Sequence, residues 1–352
     1  MEWSDYTKLL IDKCKKNGTP STATFELTPF CNFNCNMCFI RLSPEQARNQ
    51  GRLLTTSQWI QLAEEIKQLG TFGLEITGGE AITRDDFHIL YERFIRMGFI
   101  VSLRTNGYLI RSTLLDLLKQ LKPRQVSVTL YGGTDETYQK VCGIKDGFSV
   151  VSRNILAMRE VGINVGITVT VTKDTIKDRE LIIDWANKND FFVTFYGGLI
   201  NPIRSADRSI DHLRVNYPLT QDEEAAEIPF RIVENRKKYM NPFWMCREFG
   251  TKCCITWDGR MTLCNCFPAI WTDPLSIGVC NAFRLLNEKL GNVQRPKECL
   301  ECQLIDYCGL CPSNLLSETG DYEKTCSRIC ERAKKRFLNS VNKNSMSLCK
   351  PD

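Results

Sequence analysis

Histidine is nearly missing from this chain: of 352 residues only His88 and His212 carry an imidazole, which argues against His-rich zinc or non-haem iron sites. A strong charge of one sign is missing too. The formal net charge is +5, and no basic run is interleaved with aromatics, so nucleic acid is not expected as a partner. No apolar run approaches the length of a membrane span, and the N-terminus, Met1-Glu-Trp-Ser-Asp5, is polar and acidic, unlike a secretion signal. The remaining composition, 43% hydrophobic and 25% charged, is that of a globular protein with a core of its own, and a cytoplasmic location is expected.

Against these absences stand 18 cysteines. Disulfide frameworks belong mostly to small secreted domains, so in a chain of this size without a signal the cysteines point to metal or redox chemistry. The first group is Cys31-Asn-Phe-Asn-Cys35-Asn-Met-Cys38. Three thiolates this close can hold three irons of a 4Fe–4S cube and leave the fourth open to a cofactor or substrate, whereas a four-cysteine cluster usually only carries electrons.

From residue 24 to about 200, β-branched runs alternate with amphipathic stretches. Strands are expected at Thr24–Thr28, Phe72–Thr77, Ile100–Thr105, Gln125–Leu130, Asn164–Val171 and Phe191–Tyr196. Helices are expected near Thr56–Leu69, Asp85–Met97, Leu109–Leu121, Val150–Val161 and Ile176–Asn189. Such alternation predicts an α/β fold with a parallel sheet and crossover helices, its function on the loops after the strands. Thr77-Gly78-Gly79-Glu80 closes the second strand, where glycines allow a close backbone approach and a carboxylate can accept from an ammonium group. Beyond the sixth strand, Tyr196, Arg204 and Arg208 either face a substrate or are solvated surface groups.

The triplet Cys31, Cys35, Cys38 resembles the signature of radical S-adenosylmethionine (SAM) enzymes, and Gly78-Gly79-Glu80 resembles that family's GGE motif. The resemblance implies a partial (β/α)6 TIM-like barrel. It also implies a cube whose open iron chelates SAM, and Glu80 orienting the SAM amino group. Thr105-Asn106-Gly107 is similar to the family's TNG turn, and Thr129 lies where relatives carry a ribose-binding serine. Four positions depart from the pattern. Tyr131 stands for an aspartate, Cys142 for an arginine that pairs with the SAM carboxylate, Met37 for an aromatic residue and Ala81 for a proline. Lys140 or Lys145 is left as a substitute partner for that carboxylate.

Cysteine density rises from Cys246 to Cys330, which hold 12 of the 18. Cys246, Gly259 and Cys264, then Cys299, Cys302, Cys308 and Cys311, then Cys326 after Thr319-Gly320-Asp321, resemble the SPASM extension of radical SAM enzymes. The resemblance implies two auxiliary 4Fe–4S clusters, three in all. Cys246, Cys264, Cys311 and either Cys253 or Cys254 would hold one, with Cys253 preferred on spacing. Cys299, Cys302, Cys308 and either Cys326 or Cys330 would hold the other. A zinc site is the rival, but zinc ribbons separate their CxxC pairs by about 15 residues or more. Here the gap is five.

The expected organisation is an N-terminal helical segment 1–23, the barrel 24–225, a linker helix 226–245, the auxiliary-cluster domain 246–335 and a polar tail 336–352. Relatives of this type modify peptides or proteins, so the expected function is a radical SAM oxidoreductase, a maturase. It would cleave SAM reductively to a 5′-deoxyadenosyl radical and abstract hydrogen from a peptide, leading to crosslinking, oxidation or epimerisation. The runner-up is a radical SAM enzyme acting on a sugar, cofactor or tetrapyrrole precursor. A non-catalytic iron–sulfur carrier and a zinc-binding interaction module are further alternatives. A low-potential donor such as flavodoxin or ferredoxin is an expected partner. Too few residues precede the first strand for the leader-binding domain many relatives carry, so the alternatives are direct binding of the peptide, a separate leader-binding partner, or a different substrate.

Overall fold

The strands of this protein bury every second side chain on one face, and that alternation fixes which side the helices cover. In the computed structural model, which describes residues 3–204, 209–215, 240–246 and 250–347, six parallel strands run in chain order. They are β1 (Thr22–Glu26), β2 (Gly73–Thr77), β3 (Ile100–Thr105), β4 (Gln125–Leu130), β5 (Val165–Thr170) and β6 (Val193–Tyr196). Each pairs with the next, as in Thr24↔Glu75 and Thr129↔Thr168. The connections are helical: α1 (Trp3–Asn17) precedes β1, α2 (Pro44–Gln50) and α3 (Thr56–Gln68) follow it, and α4 (Phe87–Arg96) follows β2. Next come α5 (Ser112–Gln120), then α6 (Asp135–Cys142) and α7 (Gly147–Glu160), and finally α8 (Arg179–Lys188) before β6. This is the expected α/β partial barrel.

Phe25 of β1 points into the helical layer, its ring 4.9 Å from Trp59 of α3 and 5.5 Å from Phe94 of α4. All three are fully buried, and each contributes on the order of 1.5–3 kcal/mol by leaving water. The opposite face carries Thr24, Glu26, Glu75, Thr77, Ser127, Thr129 and Thr168, and is therefore polar. Capping boxes at Ser43/Gln46 and Thr55/Gln58 satisfy the first amides of α2 and α3, fixing where the chain re-enters regular structure after the cysteine loop.

The sheet extends past β1. Lys252–Ile255 forms β7, parallel to β1 with Thr24↔Cys254, and Met261–Thr262 forms β8, antiparallel to β7. A four-residue Lys-Cys-Cys-Ile run has no periodicity to announce it, and only its register against β1 makes it a strand.

Internal contacts divide the chain into two units, Met1–Ile228 with Gly250–Asn287, and Pro229–Phe249 with Glu288–Asp352. The second has a small core of Cys299, Ile305, Cys308, Leu310, Leu315 and Ala333, against which Leu304, Cys326 and Ile329 pack. The helix Ser327–Ser347 supplies Ala333 and sets Phe337 edge-on to Tyr307. No helix among the described residues is long and apolar enough to cross a membrane. Arg208, Cys349, the charged stretch 231–238 and most of the linker expected at 226–245 lie outside the described residues.

Candidate active site

The segment after β1 has no regular structure, so its backbone polar groups must find partners elsewhere. Two neighbours supply them. From the end of β2, the amides of Gly79 and Glu80 donate to Thr28 O and Phe30 O, both at 2.7 Å. From the C-terminus of α6, the carbonyls of Val141 and Cys142 accept from Asn36 N at 2.9 Å and Asn34 N at 3.0 Å. The last carbonyls of a helix have no partner within it, and here they hold the loop bearing Cys31, Cys35 and Cys38. Gly143 then ends α6 in the left-handed region, at φ 76°.

The paired glycines serve this contact. A Cβ on Gly79 would sit 2.3 Å from Phe30 O, and one on Gly78 would sit 2.7 Å from Thr28 O. Their lack of side chains lets β2 close against the cysteine loop itself.

Donors converge on the sulfurs of Cys31 and Cys38. Phe33 N lies 3.3 Å from Cys31 Sγ, Arg41 N lies 3.3 Å from Cys38 Sγ, and Asn106 Nδ2 lies 3.7 Å from Cys31 Sγ. Burial pushes the Cys31 thiol up to about 12. Cys35 is pushed well above the usual thiol range, first by its hydrogen bond with Cys142 and then by burial. Ligation requires thiolates, and buried thiols with inward-aimed amides are a poor place for bare negative charge but a good one for charge neutralised by iron. The triplet therefore fits a cube. Among the described residues no three metal-ligating side chains converge on one point. A cube does not require that, because each cysteine takes a different iron.

Glu80 is 1% exposed, and burial raises its carboxyl to about 7 against the pull of three donors. These are Asn106 N at 2.7 Å and Thr105 Oγ1 at 2.9 Å, both on Oε2, and Ile82 N at 3.3 Å on Oε1. The Asn106 side chain continues to Asn32 Oδ1 at 2.8 Å, tying the turn after β3 to the cysteine loop. The two motifs, Thr77–Glu80 and Thr105–Asn106, are thus one constellation. Thr77 pairs with Glu26 in register, and Thr129 lies beside Thr168 on the polar face. Lys140 is mostly exposed and bonded to Asp174 Oδ1 at 2.7 Å, and Lys145 is exposed.

Arg204 is neither a solvated charge nor a free substrate contact. Its guanidinium is ion-paired with Glu26 at the end of β1, and both side chains are buried. Arg204 Nη2 also reaches Asn265 O at 3.4 Å, and Gln50 Nε2 donates to Arg204 O at 2.8 Å. Burial raises the Glu26 carboxyl despite the arginine, and its Oε2 has no hydrogen-bond partner among the described residues. A glutamate closing a strand otherwise made of Thr, Ala and Phe was the available signal for this pair. Tyr196 is exposed.

The C-terminal cysteines fall in both units. On β7, Cys253 shares a face with Ala23, while Cys254 shares one with Thr24 and Glu26 and interacts with Cys264. Cys253 is fully buried and pushed up to about 12 by burial alone. The Cys264 sulfur interacts with the Cys266 side chain and accepts from the amides of Cys266 and Phe267, which hold it below the usual range. In the second unit Cys299, Cys302, Cys308, Cys326 and Cys330 come together. Cys299 interacts with Cys308, Cys330 and Cys302, Cys330 interacts with Cys302 and Cys326, and Cys326 packs against the Cys299–Cys308 core. The Arg295 guanidinium, 4% exposed, interacts with Cys299 and Cys308, so a buried cation accompanies these thiols as an anionic cluster would require. Cys246 and Cys311, also of that unit, are half-buried.

Residues 25–186 match the Radical SAM superfamily. A probable GTP 3′,8-cyclase of Pyrobaculum aerophilum is 31% identical over 153 residues, 43% of this chain and 48% of the cyclase. The antilisterial bacteriocin subtilosin biosynthesis protein AlbA of Bacillus subtilis is 25% identical over 345 residues, 92% of this chain and 73% of AlbA. Among solved structures, Streptococcus suis SuiB bound to SAM superposes with a TM-score of 0.65 at 16% identity, covering 92% of this chain and 80% of SuiB. SuiB bound to its precursor peptide SuiA gives 0.65 at 16% identity, covering 90% and 77%. The chain thus spans about half of the cyclase and about three quarters of the other two.

Proposed function

Because residues 25–186 are a radical SAM domain, and the chain is accordingly an enzyme that uses SAM and an iron–sulfur cluster, we propose that it is a maturase acting on a peptide or protein. The observation that carries this reading is the extent of the likeness to AlbA. It runs over 92% of this chain, against 43% and 73% for the GTP 3′,8-cyclases of Pyrobaculum aerophilum and Aquifex aeolicus.

Cys31, Cys35 and Cys38 would hold the SAM-binding cube. When bound, the cube supplies the electron that cleaves SAM reductively to the 5′-deoxyadenosyl radical used for hydrogen abstraction. The chain's own residues do the rest. Glu80 offers a preorganised carboxylate to the SAM ammonium, positioned by Thr105 and Asn106, and Thr129 offers a hydroxyl on the polar face. The donor set at Cys264 supports Cys264 as an auxiliary-cluster ligand, and the family resemblance adds Cys246, Cys311 and either Cys253 or Cys254. Cys299, Cys302 and Cys308, with Cys326 or Cys330, would hold the other. An external low-potential donor such as flavodoxin or ferredoxin would supply electrons, and a separate protein could present the peptide leader.

The test is an anaerobic assay of reconstituted protein with SAM, reductant and candidate precursor peptides. Formation of 5′-deoxyadenosine with loss of hydrogen from a peptide, read by mass spectrometry, is expected. No 5′-deoxyadenosine overturns the radical reading. Steady formation with every peptide unchanged, and turnover of a nucleotide or tetrapyrrole precursor instead, overturns the peptide reading.

A further inference from the structure

Two of the positions that depart from the family pattern, Tyr131 and Cys142, are far apart in the chain but meet at one atom. Cys142, buried at the end of α6, places its sulfur 3.4 Å from Cys35 Sγ. Tyr131, just past β4, hydrogen-bonds the same Cys35 sulfur through its hydroxyl. Cys31 accepts from the Phe33 amide and Asn106, and Cys38 from the Arg41 amide.

The surroundings hold both donors still. Tyr131 sits edge-on to Phe33 at 6.0 Å and to Tyr138 at 6.1 Å, and Phe33 is in turn edge-on to Tyr138 at 6.3 Å. Phe33 and Tyr138 are fully buried, so the hydroxyl approaches sulfur in a low-dielectric pocket where a hydrogen bond is electrostatically stronger. Cys142 is fixed by its own backbone, whose carbonyl binds the cysteine loop at Asn34. Once Cys35 is bound to iron it carries no proton. The only hydrogen between the two sulfurs then belongs to Cys142, which must be the donor.

We propose that Tyr131 and Cys142 are a pair of positioning residues that donate O–H and S–H hydrogen bonds to the Cys35 ligand sulfur and raise the reduction potential of the SAM-site cluster. The proposal rests on Cys31, Cys35 and Cys38 being the cluster ligands. Hydrogen bonds to ligand sulfur stabilise the more negative, reduced cluster, and they are among the features that set such potentials. A donor worth about 1 kcal/mol shifts the reduced-to-oxidised ratio at a fixed solution potential about five-fold. For a one-electron couple at 59 mV per tenfold this is about 40 mV.

The test is a redox titration of reconstituted wild type, Y131F, C142A, C142S and the Y131F/C142A double variant, following the paramagnetic reduced signal that changes on adding SAM. Y131F keeps the ring and its packing, so it removes only the hydroxyl. Each of Y131F and C142A is expected to lower the midpoint, the double variant to lower it by about the sum, and C142S, a stronger donor, to restore or exceed the wild-type value. Unchanged midpoints in Y131F and C142A with full iron content overturn the proposal. If C142A and C142S both lose the SAM-site iron, Cys142 is a ligand and not a donor, and the proposal also falls. A wild type with no SAM-responsive signal refutes the ligand assignment itself.

Discussion

In the role proposed for Glu80, as partner of the SAM ammonium, function and stability pull in opposite directions. Its carboxyl is raised from 4.5 to about 7 by burial, so the folded protein binds this proton more tightly than the unfolded chain does. The stability it contributes is therefore full below about pH 4.5 and is lost as the pH rises through about 7. At about 1.36 kcal/mol per unit, holding Glu80 ionised at pH 8 costs the SAM-free protein on the order of 3 kcal/mol. Glutamine has the shape of the protonated acid, so E80Q should remove this cost. Anaerobic urea unfolding of SAM-free protein should show a higher midpoint for E80Q than for wild type at pH 8, and coincident midpoints near pH 4.5. Binding should move the other way. Losing a charge-assisted hydrogen bond to the SAM ammonium costs about 1.5–3 kcal/mol, or roughly 10- to 100-fold in affinity by equilibrium dialysis. Wild-type affinity for SAM should itself weaken as the pH falls below about 7. An E80Q variant less stable than wild type at pH 8, or a stability gap that ignores pH, would refute the reasoning.

Replacing Cys31, Cys35 or Cys38 singly with alanine should abolish 5′-deoxyadenosine formation and lower iron content by up to about four atoms per chain, read by metal analysis, while the iron of the proposed auxiliary clusters remains. G79A places a methyl 2.3 Å from Phe30 O, so β2 must separate from the cysteine loop. A loss on the order of 3 kcal/mol in unfolding and poor cluster incorporation are expected, whereas G143A, at a position with open space, should cost only its positive φ. R204M leaves Glu26 buried and unpaired, which should destabilise by about 3–5 kcal/mol, and E26Q/R204M should recover most of it. If R204M alone unfolds at the wild-type midpoint, the ion pair does not brace the end of β1.

The parts of this protein that repeat locally were legible. The six barrel strands follow β-branched alternation, and each expected strand overlaps the observed one, with Ile100–Thr105 and Gln125–Leu130 matching end to end. The helices end one residue inside their expected limits, because apolar periodicity runs on past the last hydrogen-bonded turn, and α7 begins three residues before Val150. The short α6 was not read, since an eight-residue helix offers barely two turns of pattern, yet its C-terminal carbonyls hold the cysteine loop. β7 was hidden for a similar reason, and with it the fact that Cys253 and Cys254 face opposite ways. Arg204 could be seen as a charge after β6 but not as the partner of a residue 178 positions earlier.

Chemistry carried by adjacent residues, namely three thiols on one short loop and a carboxylate beside two glycines, was fixed by covalent order, because such groups stay near one another in any compact fold. Which donors those groups receive was decided only by the tertiary structure. Hydrogen bonding depends on distances of a few ångströms between segments that the chain separates by tens to hundreds of residues. Curling the sheet brings Asn106 to Glu80 and Cys31, brings Tyr131 and Cys142 to Cys35, and brings Arg204 to Glu26.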